Sequence, residues 1–302
     1  MIKKKLITVL VPVFNEEKNV IFFYEKIKKI IKVEKNYQFE ILFLNNCSTD
    51  NTFRNIKKIS KFDRKVKLIS YSKNFGRNNS IFGGLKNSSG DYIFLIDVDC
   101  QDPPEFLHMF LRKAEHGYKV IYGKRDRRNE SLIYSILGKA YYRLLHLLSD
   151  SDFIIDMAEF CLIHKDVKNA IININHDKPF VRAEIAHVGF SRVGINYLRV
   201  KRVHEKSKYN FFQLFYYSFS GFISVSTILL RIVALGGLFL IVYNFLYLII
   251  NNNLHINEIN NIFIIFSIII ISIYLARSHN NIISRKNYVI DMENSINVQR
   301  TK

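Results

Sequence analysis

The sequence predicts an α/β fold, with a mostly parallel sheet covered by helices on both faces, followed by apolar segments suited to a membrane. Three observations predict it. Short apolar runs alternate with stretches of helical periodicity through residues 1–125. Polar residues gather where these apolar runs end. Beyond residue 208 the chain turns strongly apolar, with its charges confined to the flanks.

Residues 6–11 are apolar except for Thr8 and read as a buried strand. Asn15 is placed to cap a helix whose apolar positions Val20, Phe23, Tyr24, Ile27, Ile30 and Ile31 recur at helical spacing. Residues 39–44 form a second strand, and Asp50 opens a helix through Phe53, Ile56 and Ile59. Residues 66–70 and 92–96 are further strands, separated by a glycine-containing helix over residues 80–86. Asp102 reads as a helix N-cap, with Pro103 at the first helical position and Glu105 at the capping-box position. That helix is expected to run to Gly117, followed by a strand over residues 119–122. A basic helical segment (125–148), a segment over 156–165 and a hairpin-like region around 185–200 complete the first part. Ligands of such sheets bind beyond the carboxyl ends of the strands. Asn15, Asn45, Asn46 and Asp97 all fall there, so three polar clusters are expected on one rim.

The net charge of +18 suits an anionic membrane surface, a phosphorylated substrate or nucleic acid. Nucleic acid is disfavoured, because the basic residues cluster beside apolar segments without a stacking-and-basic motif. Residues 232–250 are uncharged and long enough to span a bilayer, and residues 262–276 form a second, shorter apolar run. The linker over 251–261 carries Glu258 and no Lys or Arg, whereas Arg231, Arg277, Arg285 and Lys286 flank the spans. This asymmetry places both termini in the cytoplasm and the linker outside. Residues 209–231, rich in Phe, Tyr and Ser, read as an interfacial amphipathic helix rather than a third span. The expected organisation is a catalytic domain over 1–208, the interfacial helix, two transmembrane helices within 232–276 and a cytoplasmic tail over 277–302. The apolar run near the start is interrupted by Pro12 and stops at Asn15-Glu16-Glu17, so no cleavable leader is read there. Cys47, Cys100 and Cys161 lack metal-ligand spacing and read as reduced thiols, and the histidines show no metal-site spacing either.

Asp97-Val98-Asp99-Cys100-Gln101, running into Asp102-Pro103-Pro104-Glu105, carries the most chemistry. Two carboxylates two residues apart at the end of a buried strand can hold a hard dication, which completes its shell with diphosphate oxygens and water.

The chain resembles glycosyltransferase family 2 enzymes of the GT-A fold, a Rossmann-like α/β architecture. More narrowly, it is similar to polyprenyl-phosphate glycosyltransferases, the group of the bactoprenol glucosyltransferases and dolichyl-phosphate mannose synthase. The matching pieces are Val11-Pro12-Val13-Phe14-Asn15-Glu16-Glu17, residues 45–52, Asn74-Phe75-Gly76, residues 97–105, residues 122–125, Phe180-Val181-Arg182 and residues 199–209. The resemblance implies Mg²⁺ or Mn²⁺ on Asp97 and Asp99, with Gln101 and Asp102 orienting that loop. It places the nucleotide against Pro12, Asn15, Glu17, Asn45, Asn46, Asn74 and Gly76. Relatives usually carry two aspartates at the positions of Asn45 and Asn46, and a glycine at that of Cys47. Glu159 stands where an acidic residue faces the reacting sugar, as a catalytic base or as a positioning group. Arg125, Arg128 and Lys139 fall in the acceptor-phosphate grip, and Arg199, Arg202, Ser207 and Lys208 form a second basic cluster. Gly138 and Glu205 depart from the usual Ser and Gly.

The activity implied is inverting transfer of one sugar from a UDP- or GDP-linked donor to undecaprenyl phosphate or a similar polyprenyl phosphate. It would take place at the cytoplasmic face of a bacterial inner membrane, by a homotetramer or a monomer. Two alternatives stay open: another lipid or lipid-linked saccharide as acceptor, or a non-catalytic, membrane-tethered nucleotide-sugar binder.

Overall fold

The computed structural model describes residues 4–126, 154, 157–174, 180–200, 226–251, 258–283 and 288–298. The first half alternates as expected: β1 (Leu6–Val13), α1 (Glu17–Val33), β2 (Gln38–Asn45), α2 (Thr52–Phe62), β3 (Val66–Tyr71), α3 (Arg77–Asn87) and β4 (Tyr92–Leu95). A 3₁₀ turn (Pro104–Phe106) leads into α4 (Leu107–Glu115), followed by β5 (Val120–Asp126), β6 (Met157–His164), α5 (Lys165–Ile172), α6 (Val181–His187) and β7 (Arg192–Leu198). Two long helices, α7 (Ile228–Asn251) and α8 (Glu258–Ile283), precede a last strand, β8 (Ile290–Ile296).

The eight strands form one sheet in the order β7-β5-β6-β4-β1-β2-β3-β8. β4, β1, β2 and β3 are parallel, as are β5 and β7, while β6 and β8 run against their neighbours. Successive side chains of a strand point to opposite faces, and both faces of the central strands are covered, which is why their sequences are apolar runs. Val9, Val11, Phe43 and Phe94 pack on one face with Phe23 and Ile27 of α1 and Phe110 of α4. Leu10, Leu42, Leu44 and Ile93 pack on the other with Ile81 of α3, Val167 of α5 and Ile185 of α6. Thr8, the one polar residue expected within β1, donates to Glu40, which Lys67 neutralises at 2.6 Å.

Several local expectations are corrected. Asn15 is not a helix cap: it lies at φ 54°, α1 begins at Glu17, and the Asn15 side chain serves the neighbouring loop instead. Asp102 caps nothing either, because its carboxylate is buried against Tyr197, Arg125 and Arg199. Residues 185–200 are not a hairpin but α6 followed by a strand that pairs parallel to β5. Arg125 and Asp126 belong to β5, and the rest of the expected basic helical segment lies outside the described residues. Within the expected tail, Ile290–Ile296 adds an antiparallel edge strand to β3. Residues 209–225 of the expected interfacial helix also lie outside the described residues, and residues 228–231 already belong to α7.

α7 is long and apolar enough to cross a membrane, with a 23-residue stretch at mean hydropathy 2.3 that is wholly unburied. α8 has a shorter apolar stretch, Asn260–Ala276, so two full spans are not established. The two helices pack together: Gly236 admits the Phe263 ring, Asn260 donates to Asn244 at 3.3 Å, and the Tyr274 hydroxyl donates to the Ser226 carbonyl at 2.6 Å. Leu235, Phe239, Phe245, Ile249, Ile265 and Ile268 face outward and leave an exposed apolar surface on the helix pair.

Candidate active site

Three loops leave the carboxyl ends of β1, β2 and β4, and each holds one non-glycine residue in the left-handed region: Asn15 (φ 54°), Cys47 (φ 59°) and Cys100 (φ 53°). Such conformations cost about 1–2 kcal/mol each and persist where the surroundings enforce them. Here the enforcement is a lattice of hydrogen bonds. The Ser48 hydroxyl accepts from the Asn15 N–H at 3.0 Å, and the Asn15 side-chain oxygen accepts from the Thr49 N–H at 2.8 Å. Asp50 accepts from the Glu17 N–H, and the Glu17 carboxylate accepts from the Asn51 N–H and side-chain amide, both at 3.0 Å. Asn15 and Glu17 thus stitch the first two loops together, beside Pro12 in β1.

Asn45 and Asn46 are buried and engaged internally. Asn45 accepts from the Ser48 N–H at 3.1 Å. Asn46 accepts from the Phe75 N–H at 3.0 Å and donates to the Asn74 side-chain oxygen at 2.7 Å, while Asn74 also accepts from the Gly76 N–H at 2.9 Å. Asn46 therefore uses both capacities of an amide, which a carboxylate lacks. Asn46→Asp is expected to set two acceptors against each other and to cost about 1–3 kcal/mol, as a lower urea midpoint at neutral pH.

The acidic loop closes the site. Asp97 accepts from Arg77 Nη2 at 2.7 Å, and the other terminal nitrogen of Arg77 pairs with Glu159 at the start of β6. Enclosure by protein opposes ionisation of Asp97, yet the Arg77 guanidinium, with Arg125 and Arg199 further off, holds its pKa below the ordinary carboxylate value. Asp99 is buried and accepts from the Gln101 N–H at 3.1 Å. Behind them Asp102 accepts from the Tyr197 hydroxyl at 2.5 Å, and Arg125 reaches both Tyr197 (3.1 Å) and Asp102 (3.5 Å). Arg199 lies 3.8 Å from Asp102. The rim thus alternates acids with guanidinium groups.

Arg77, Asp102 as an anchor and Tyr197 were not singled out for these roles from the sequence. Arg77 left one signal: a cation in the first turn of a helix opposes the helix dipole, so its place answers to something outside α3. Arg128, Lys139, Arg202, Ser207 and Lys208 lie outside the described residues. Among the described residues, no group of three or more His, Cys, Asp or Glu gathers around a metal position. Asp97 and Asp99 offer hard carboxylate oxygens of the kind that Mg²⁺ or Mn²⁺ takes when phosphates complete its shell. Asp97 already holds a cationic group, so the position favours positive charge. Burial pushes the Cys100 and Cys161 thiols up to about 12, which excludes them as nucleophiles at neutral pH.

The mostly parallel α/β sheet, with polar loops gathered at the carboxyl ends of β1, β2 and β4, is a GT-A-like fold. The chain belongs to Glycosyl transferase family 2, whose pattern matches residues 8–167. It is 30% identical over 247 residues to the putative glycosyltransferase CsbB of Bacillus subtilis, covering 82% of this chain and 75% of that one. It is 31% identical to the bactoprenol glucosyl transferase of Shigella phage SfV, covering 80% and 78%. Its fold is similar to that of mannosyl-3-phosphoglycerate synthase from Rubrobacter xylanophilus, with TM-score 0.50, 14% identity and 73% of each chain covered.

Proposed function

We propose that this glycosyltransferase moves one sugar from a UDP- or GDP-linked donor to a polyprenyl phosphate at the cytoplasmic face of a bacterial inner membrane. The observation that carries the reading is where the chain leaves and rejoins the sheet. β7 ends at the same rim as β5, and the Val200 N–H just beyond it donates to the Gln101 carbonyl at 3.0 Å. β8 enters beside the end of β3, where the Ser72 N–H donates to the Val289 carbonyl at 3.0 Å. The chain therefore leaves the sheet after β7 and re-enters it at β8 on the rim that carries Asp97. A bilayer crossed by both α7 and α8 would lie on the side of that rim, with β7 and β8 on the same side of it. Relatives named bactoprenol glucosyl transferases support a polyprenyl acceptor.

The chemistry suits these residues. A lipid phosphate, with its second pKa near 6, is already nucleophilic at neutral pH, so no base is required. Glu159, engaged by Arg77, then serves as a positioning group. Tyr197 and Asp102 hold Arg125 along its Nε–Nη2 edge, leaving Nη1 for a phosphate oxygen. The phosphate oxygen attacks the anomeric carbon from the face opposite the departing diphosphate, and the configuration inverts. When bound on Asp97 and Asp99, Mg²⁺ or Mn²⁺ supplies charge neutralisation to that leaving group.

The test is transfer from radiolabelled UDP- and GDP-sugars by purified protein with Mg²⁺ or Mn²⁺. Label extracted with undecaprenyl phosphate is the expected result. Label passing only to diacylglycerol or to a lipid-linked saccharide would refute the acceptor.

A further inference from the structure

We infer that Arg77 is the resting counter-ion of the metal position: it occupies Asp97 until donor and dication arrive together, then turns to the donor's diphosphate while keeping Glu159. The inference rests on the reading of Asp97 and Asp99 as metal ligands.

Arg77 is the first residue of α3. The backbone on its amino side is fixed. Gly76 lies at φ 85° and ψ 159°, a region essentially reserved for glycine. The Gly76 N–H is held by Asn74, and the Phe75 N–H by Asn46. Behind it, the Tyr71 hydroxyl donates to the Ser80 carbonyl at 2.7 Å. The helix start cannot shift readily, so any response to ligand falls to the Arg77 side chain, which is 30% exposed.

Two carboxylates from separate strands share this one guanidinium, Asp97 after β4 and Glu159 in β6. A dication on Asp97 would meet a positive group already bonded to Oδ1 of the same carboxylate. The two repel, so one must leave unless further negative charge arrives. A nucleoside diphosphate brings that charge. It can accept from the displaced Nη2, for which a guanidinium is suited, while Nη1 remains on Glu159. Metal and donor then load as a unit, and the empty enzyme holds metal weakly. Asp102, Arg125, Arg199 and Tyr197 form their own cluster and are not rearranged by this exchange.

Mn²⁺ binding by the full chain in detergent, followed by electron paramagnetic resonance with and without UDP or GDP, tests this. Wild type is expected to bind Mn²⁺ at least about 5-fold more tightly with nucleotide, the low end of ordinary site coupling. Arg77→Gln is expected to tighten nucleotide-free Mn²⁺ binding by about 5-fold and to narrow the nucleotide effect by the same factor, leaving the part that comes from diphosphate oxygens on the metal. Arg77→Lys, which keeps the charge, should stay near wild type without nucleotide. A folded Arg77→Gln protein with unchanged or weaker nucleotide-free affinity overturns the assignment of Arg77 alone. If that variant fails to fold, Arg77→Met is read in its place, and nucleotide-free Mn²⁺ affinity no tighter than wild type overturns it equally. Wild type that takes up no Mn²⁺ even with nucleotide brings down the metal reading and this inference together.

Discussion

Replacing Asp97 by Asn is expected to lower turnover by about 10³-fold or more, about 4 kcal/mol at 1.36 kcal/mol per tenfold. The reasoning is electrostatic. Asp97 lies at the carboxyl end of β4 and is kept ionised by Arg77, with Arg125 and Arg199 beyond. An amide of the same shape still accepts from Arg77 but contributes no charge toward a dication on the diphosphate. Folding should survive, because Arg77 retains Glu159. Initial-rate kinetics alongside thermal melts separate the two effects. Near-normal turnover in a folded Asp97→Asn protein would remove Asp97 from the reaction.

The largest expected loss of stability belongs to Asp102→Ala. This carboxylate is 2% exposed and serves three partners: the Tyr197 hydroxyl, Arg125 at 3.5 Å and Arg199 at 3.8 Å. Its removal leaves two guanidinium groups with no anion between them and a buried phenol without an acceptor. Breaking a buried pair commonly costs about 3–5 kcal/mol, and because both arginines retain solvent access we expect the lower end, about 3 kcal/mol. Asp102→Asn keeps an acceptor for Tyr197 and should lose less. Urea unfolding measures both. A loss below about 1 kcal/mol, the scale of a surface pair, would mean that the cluster does not hold the rim together.

Much of this was legible in the sequence, for identifiable reasons. β1 to β4 are buried on both faces, so their apolar runs stand out against the periodicity of α1 and α2. The acidic pentad was visible because carboxylates directly after a buried strand have few structural uses. The misassignments share one cause. Asn15 and Asp102 are good caps by residue type, but each has a partner distant in sequence that outcompetes the local backbone: Thr49 for Asn15, Tyr197 and Arg125 for Asp102. β7 looked like half of a hairpin because its alternation is clear, whereas its partner β5 lies some 70 residues earlier, pairing Val120 with Arg192. β8 was missed for a similar reason. Its residues, Ile-Asp-Met-Glu-Asn-Ser-Ile, are mostly polar because an edge strand is covered on one side at most. Arg77 gave only a weak hint, since a lone arginine after Gly76 becomes informative once Asp97 and Glu159 are seen to meet around it.

The proposed orientation of the Asp97 rim toward lipid can be measured without any substrate. The chain contains no tryptophan, so one introduced indole reports alone. Phe14 follows β1 on the rim that carries Asp97, and Phe62 ends α2 at the opposite edge, 92% exposed. In vesicles containing lipids with a quencher at the headgroup, Phe14→Trp should be strongly quenched and Phe62→Trp spared. Equal quenching, or the reverse order, would contradict a catalytic rim that faces the membrane.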